Sequence, residues 1–163
     1  MLGDRRWTTY LDTGEEAILR LIENNTIIAQ CNISRLPDFE EGKQLTLEGM
    51  QADIRTSLGD KFDQFLESAE KVTGSQLRHL RSVVMGQAEE VPIQWIYNHL
   101  SDDDGHRVAL IYTMGGNVTD KFAAADEQMT SSLEIRKQTS DAPTVAPKQA
   151  EKIGAAESPT TKR

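Results

Sequence analysis

The sequence has few of the residues that would indicate a disulfide framework, a reactive thiol or a membrane span. Cys31 is the single cysteine among 163 residues, so no intramolecular disulfide can form. It lies in the strand-like run 27–33, where a buried structural thiol is the simplest interpretation, and no local histidine pattern supplies a catalytic partner. No apolar run is long enough to span a bilayer, so we expect no membrane insertion.

Positive charge is also scarce. The chain has 18 Lys and Arg against 26 Asp and Glu, which gives a net charge of −8. Nucleic acids and anionic membrane surfaces both require clustered basic residues, so we exclude both as partners. A basic partner protein fits the charge, although acidity that only maintains solubility is the simpler explanation.

The first residues show no apolar segment of a signal peptide. The sequence as written therefore predicts a cytoplasmic protein. This expectation depends on where the native chain begins, and an N-terminus further upstream would instead allow an exported protein.

The composition changes near residue 137, and we expect one folded domain at 1–136 followed by a disordered tail at 137–163. The tail has no aromatic residue and holds three of the five prolines. Such a segment buries too little apolar surface to offset the entropy lost on ordering. The body retains 13 basic and 23 acidic residues, a net charge of −10, and is long enough to form a core without disulfides or metals.

Alternating and β-branched segments predict strands in two groups. Asn24 and Asn25 tolerate the left-handed conformation of a tight turn, and the Asp-Asp-Asp-Gly segment 102–105 is a strong hairpin turn. Segment 62–72 fits either a helix or a strand. The predicted strands cover residues 5–10, 16–23, 26–33, 76–87, 91–101 and 106–115.

Two amphipathic helices are predicted, at residues 46–58 and 119–133. In the first helix Thr46 is placed as the N-cap and Gly59 as the C-cap, and apolar residues recur every three or four positions. The last two strands carry apolar residues on both faces, so both faces need cover. The predicted fold class is α+β: an antiparallel sheet flanked by helices on both faces, an α/β/α sandwich.

The segment Val91–Tyr97, the hairpin turn that follows it and the closing helix with Asp120 and Phe122 resemble the PsbP-like superfamily, and an early Trp7 also fits. This superfamily includes the Mog-type nuclear import factors and many bacterial domains of unknown function. The resemblance covers most of residues 5–135 in element order. It implies a sheet flanked by helices and a non-enzymatic protein that binds or stabilises another protein, with no catalytic set to transfer.

No catalytic, cofactor-binding or metal-binding set is predicted from the residues. The Gly-Gly pair at 115–116 precedes a helix, but Asp120 in the first turn of that helix would repel an anion. His99 and His106 flank the acidic turn 102–104 and would supply metal ligands in principle. Turn chemistry explains those aspartates without a metal.

Aromatic residues on adjacent strands and the acidic loop 34–45 are the candidate contact surfaces. We therefore predict a non-catalytic accessory or protein-binding domain without a cofactor, whose partner is another protein. The alternative is a small hydrolase or ligand-binding protein with a pocket between sheet and helix. Core packing competes with binding as the role of the aromatic residues, above all for Trp95. The residues predicted for the protein-binding surface are Asp38, Phe39, Glu40, Glu41, Trp95, Tyr97 and Tyr112.

Overall fold

The computed structural model of the protein describes residues 6–11, 16–122 and 125–135. The tail predicted to be disordered, 137–163, lies outside the described residues. The strands are β1 (Arg6–Leu11), β2 (Glu16–Glu23), β3 (Thr26–Leu36), β4 (Phe62–Val72), β5 (Arg78–Ala88), β6 (Val91–Ser101) and β7 (Arg107–Gly115).

The seven strands form one antiparallel sheet in the order β1-β2-β3-β7-β6-β5-β4. The predicted antiparallel sheet is therefore confirmed, and the ambiguous segment 62–72 is a strand. Tight turns join the hairpins: Asn24 and Asn25 have φ of 49° and 61°, and Glu89 and Glu90 have φ of 51° and 65°. Asparagine adopts this left-handed region more easily than most residues, which is why the first turn could be recognised in the sequence.

Helix α1 (Leu47–Leu58) begins and ends where its caps predict. The Thr46 hydroxyl accepts a 3.0 Å hydrogen bond from the Gly49 N–H, and Gly59 follows the helix with a φ of 54°. The buried side chains of α1 are Met50 and Ile54. They pack against apolar side chains of β5 and β6, namely Leu80, Val84 and Trp95.

The opposite face of the sheet holds the larger apolar cluster, to which β2, β3, β5, β6 and β7 contribute. Two short helices, α2 (Thr119–Phe122) and α3 (Ala125–Ser131), add Phe122 and Ala125 to this cluster. A buried ion pair ties α3 to the sheet: Arg81 Nε donates to Asp126 Oδ2 at 2.7 Å, and Arg81 Nη2 donates to Asp126 Oδ1 at 3.2 Å.

The predicted sandwich with helices flanking both faces is wrong. Helix α1 lies against β4 and β5, and the same face continues over β2 and β3 with the polar side chains Arg20, Gln30 and Asn32. On the other face, the described helical residues within the predicted helix 119–133 are only those of α2 and α3. The molecule is mainly a sheet with short helices, because only its central strands are apolar on both sides.

Candidate functional site

A groove of about 210 Å³ lies between α1 and strands β6 and β7. We call it the α1 groove. Alternation along the strands points Tyr97 and His99 of β6, and Ala109 and Ile111 of β7, toward α1. The residues around the groove are Leu45, Met50, Asp53, Ile54, Ser57, Tyr97, Asn98, His99, Ala109 and Ile111.

His99 is a buried polar residue of the α1 groove, and it lies on the face of β6 that is turned toward α1. Its exposed fraction is 4%, and neither ring nitrogen has a hydrogen-bond partner. Burial lowers the His99 pKa to about 4, and the positive charges of Arg107 and Arg78 act in the same direction. The imidazole is therefore neutral near neutral pH, with one donor nitrogen and one acceptor nitrogen unused. Buried polar groups without a partner are uncommon, and one that borders a groove points to a ligand.

A second depression, of about 400 Å³, lies beside the groove between loop 37–46 and the β6–β7 turn. We call it the acidic cleft. The residues around it are Phe39, Glu40, Glu41, Gly42, Lys43, Gln44, Ser101, Asp102, Asp103, Asp104 and Gly105. Lys43 is the one cation among these described residues, and it forms an ion pair with Glu40. The cleft therefore presents a surplus of negative charge.

The loop of the acidic cleft is fixed to the β6–β7 turn through Phe39. The Phe39 N–H donates to the Gly105 carbonyl at 3.0 Å, and the Arg107 guanidinium lies 3.8 Å from the centre of the Phe39 ring. The same ring lies 6.0 Å from the His99 ring. Phe39 therefore connects the acidic cleft with the α1 groove.

Three residues of the β6–β7 turn bring potential metal ligands together. One ligand atom each from Asp102, Asp104 and His106 lies within 4.8 Å of the others. Hydrogen bonds within the turn account for this arrangement, since Asp102 Oδ1 accepts from the Asp104 and His106 N–H groups and Asp102 Oδ2 lies 2.8 Å from His106 Nδ1. Burial acts to raise the Asp102 pKa, but the hydrogen bonds from His106 outweigh it, so the pKa lies below its ordinary value.

A third depression, of about 370 Å³, lies on the opposite side of the sheet near α3, where Lys71, His79 and Glu127 contribute. Two of its polar residues already have partners: Lys71 lies 3.5 Å from Glu127, and His79 Nε2 lies 2.7 Å from the Asn98 Oδ1. Burial lowers the His79 pKa. The first contact holds α3 on the sheet, and the second joins β5 to β6.

The structure separates the residues predicted for a protein-binding surface. Asp38, Glu40 and Glu41 are exposed in the loop, and Phe39 is half-buried. Tyr97 is half-buried in the α1 groove.

The two remaining aromatic residues of that predicted surface lie in the core. Trp95 is 8% exposed and packs beneath α1, so of the two roles considered for it the structure supports core packing. Tyr112 is 1% exposed on the opposite face of the sheet. Neither side chain lines any of the three depressions described above, so neither offers a contact to a partner.

Cys31 is 2% exposed in the larger cluster. Burial raises the pKa of its thiol to about 12, although a hydrogen bond with Tyr112 acts in the opposite direction. The thiol therefore stays protonated near neutral pH. A protonated, buried thiol is a poor nucleophile, which agrees with the structural role expected from the sequence.

Sequence reasoning considered His99 as a metal ligand but missed its place in a groove. A signal was present, because Trp95, Tyr97 and His99 follow one another at two-residue spacing and must share a face of β6. Asp53 and Ser57 on α1 gave no signal, since their place beside His99 depends on how the helix sits on the sheet.

In the described part of the chain, every helix is too short or too polar to cross a membrane. The sequence matches no protein-family model and no curated protein.

Two solved structures share the fold. A protein of unknown function from Pseudomonas aeruginosa, suggested to be a regulator, aligns with a TM-score of 0.54 and 11% identity, over 82% of this chain and 85% of its own. A protein from Bacteroides thetaiotaomicron aligns with a TM-score of 0.52 and 12% identity, over 81% of this chain and 42% of its own. This chain thus spans less than half of the Bacteroides protein, and at these identities the likeness concerns the fold alone.

Proposed function

We propose that this chain is a non-catalytic domain that binds another protein and holds an apolar side chain of that partner in the α1 groove. The observation that carries this proposal is the groove itself: an apolar depression between α1 and the sheet with the unpartnered, buried His99 on its wall. Anchor side chains at protein interfaces characteristically fill such desolvated pockets.

The size of the α1 groove favours a side chain over a free metabolite. Its volume is about 210 Å³, whereas pockets for small molecules and cofactors usually have about 300–1,000 Å³. A space of this size holds one large apolar side chain. The rest of the binding energy would then come from contacts outside the groove, as it does at protein interfaces.

The chemistry of the groove argues against catalysis. A general base works best when its pKa lies near the working pH, and the His99 pKa of about 4 is far below neutral. Ser57 is exposed and forms no hydrogen bond with the His99 ring. Among the described residues of the groove there is therefore no nucleophile paired with a base.

The resemblance of the sequence to the PsbP-like superfamily implies the same class of function, because studied members of that superfamily bind proteins, but the sheet flanked by helices that it also implied is not the observed fold. The relationship itself is part of the proposal. The acidic cleft adds a further argument, since its surplus of carboxylates next to the groove suits a partner with basic residues.

Selection from a random peptide library displayed on phage, with the full chain as bait, tests this function. Ser57→Phe fills the α1 groove from the exposed side of the helix, and Ala52→Phe adds the same ring to an exposed position of α1 outside the groove. We expect selected peptides to bind the wild type and Ala52→Phe equally well, and to lose at least about tenfold in affinity for Ser57→Phe. Peptides that bind Ser57→Phe as tightly as the wild type would place the binding surface elsewhere.

A further inference from the structure

The polar group that enters the α1 groove must pair with a neutral imidazole. Arg78 and Arg107 already disfavour a positive charge at His99, and Asp53 on the wall disfavours an anion. The remaining choice is an uncharged hydrogen-bonding group. A hydroxyl both donates and accepts, so it can pair with His99 whichever ring nitrogen carries the proton.

The other residues of the groove indicate which kind of side chain carries this hydroxyl. Ile54 is 3% exposed, and Ile111 and Tyr97 are half-buried, so the wall presents aliphatic and aromatic surface. A flat ring with a polar tip matches an apolar wall that contains one buried imidazole without a hydrogen-bond partner. Tyrosine is the natural side chain of this kind, and its ring is rigid enough to lose little entropy on binding.

The negative charge next to the groove indicates which residues should flank that tyrosine in the partner segment. Phe39 borders the acidic cleft, and its ring centre lies 6.0 Å from that of His99. A chain that places a side chain on His99 would therefore pass near the cleft. Glu41, Asp103 and Asp104 are exposed around the cleft and make its surroundings negative. Lysine or arginine next to the tyrosine would complement them.

We propose that the α1 groove takes a tyrosine side chain from a partner segment with basic flanking residues, with its hydroxyl hydrogen-bonded to His99 and its ring against Ile54 and Ile111. This inference rests on the proposed function of the groove and adds the chemical identity of the anchor.

Two probes of the same shape separate the hydroxyl from the ring: para-methylphenol, which copies the tyrosine side chain, and toluene, which copies phenylalanine. Both are titrated into the isotope-labelled full chain, and amide shifts of the groove residues are followed by NMR. We expect para-methylphenol to bind about tenfold tighter than toluene, because only the phenol gives the buried imidazole a partner. In His99→Leu this preference should be lost or reversed, because the phenol hydroxyl would then be buried without a partner. Equal affinities in the wild type would overturn the tyrosine inference even if no variant folds.

The same titration separates this inference from the proposed function. If both probes shift the groove residues with equal affinity, the groove accepts apolar groups and only the role of the hydroxyl fails. If neither probe shifts the groove residues, the groove is not an apolar binding site and the proposed function fails as well.

A peptide pair tests the basic flanks. The peptides acetyl-Gly-Lys-Tyr-Lys-Gly-amide and acetyl-Gly-Glu-Tyr-Glu-Gly-amide carry the same anchor with opposite charge. We expect the lysine peptide to bind more tightly, by a ratio that shrinks as salt is added, because the carboxylates of the acidic cleft are exposed and screened. Equal binding of both peptides at low salt would overturn the part of the proposal that concerns charge.

Discussion

Trp95 is the largest side chain beneath α1, and its truncation should cost more than most single substitutions. It is 8% exposed and packs with Met50, Ile54 and Val84. We expect Trp95→Ala to lower the free energy of unfolding by about 3–5 kcal/mol in denaturant titration. Val91→Ala is the matched control on the same strand, because Val91 is 54% exposed and should change stability by less than about 0.5 kcal/mol. Similar losses in both variants would refute the core role of Trp95.

The ion pair of Arg81 and Asp126 is buried, with side-chain exposures of 8% and 0%. Burial acts to lower the Arg81 pKa, but the hydrogen bond and charge of Asp126 outweigh it and raise the pKa. Asp126→Ala leaves the guanidinium without its main partner, and we expect a loss of about 3–5 kcal/mol. Glu67, whose carboxylate lies 3.2 Å from Arg81, still offers the guanidinium a partner, so we expect a loss near the lower end of this range.

The double variant Arg81→Met with Asp126→Leu tests whether the unpaired charge causes that loss. It removes both charges and retains apolar volume, so it should be more stable than Asp126→Ala alone. A double variant that is less stable than the single one would show that the ion pair itself, and not the stranded arginine, dominates the energetics.

His99 makes stability depend on pH in a defined window. Its pKa falls from 6.5 in the unfolded chain to about 4 in the folded one, so between these values only the unfolded state takes up the proton. Stability is therefore full above pH 6.5 and is lost as the pH falls toward about 4. The loss is about 3 kcal/mol at most, since one pKa unit corresponds to about 1.4 kcal/mol.

The matched experiment compares the wild type with His99→Leu by denaturant unfolding over this window. The variant should lose less stability on acidification, although His79, whose pKa burial also lowers, leaves part of the slope in both proteins. Identical slopes for the two proteins would contradict the assignment to His99.

Among the elements, the junction between α1 and β4 depends on a close backbone approach. A Cβ atom at Gly86 would lie 1.9 Å from the Lys61 carbonyl oxygen and 2.9 Å from the Trp95 ring. We expect Gly86→Ala to cost at least about 1–3 kcal/mol by thermal or denaturant unfolding, because the backbone must move to admit the methyl group. Gly74→Ala is the control, since a Cβ there meets nothing within 4 Å. Equal stability of the two variants would contradict the packing at this junction.

The elements also show which parts of the secondary structure a sequence pattern can predict. β6 and α1 could be read from the sequence because alternation in the strand and caps on the helix are local signals. The sequence of 62–72 was ambiguous because Phe62 and Phe65 are three positions apart, as apolar residues on one face of a helix are. In the strand, register shifts near these residues place both rings on the α1 side. A β-bulge changes the phase of alternation, so no period-two pattern survives there.

The predicted sandwich failed for a related reason. β6 and β7 lie between β5 and β3 in the sheet, and they carry apolar residues on both faces. Extending that pattern to the whole sheet required more helix than the described residues contain. Strand β3, next to β7, alternates polar with apolar residues, as Gln30, Cys31 and Asn32 show, and its polar face needs no cover.

For the molecule as a whole, the binding groove exists only through long-range packing. Its wall joins residues of α1 to residues of β6 and β7 that lie about forty or more positions away in the chain. The sequence could therefore show that His99 shares a face with Trp95 and Tyr97, but not that a groove lies between this face and α1. The acidic loop was recognisable from composition, whereas its attachment to the β6–β7 turn through Phe39 and Gly105 was not.

The position of a bound anchor side chain tests the central claim most directly. The tightest tyrosine-containing peptide from the phage selection would be bound to the full chain with labelled isoleucine methyl groups, and intermolecular nuclear Overhauser effects recorded. We predict contacts from the tyrosine ring to the methyl groups of Ile54 and Ile111, which flank the α1 groove. Contacts from the ring only to isoleucines outside the groove, such as the exposed Ile27, would contradict the assignment of the groove as the binding site.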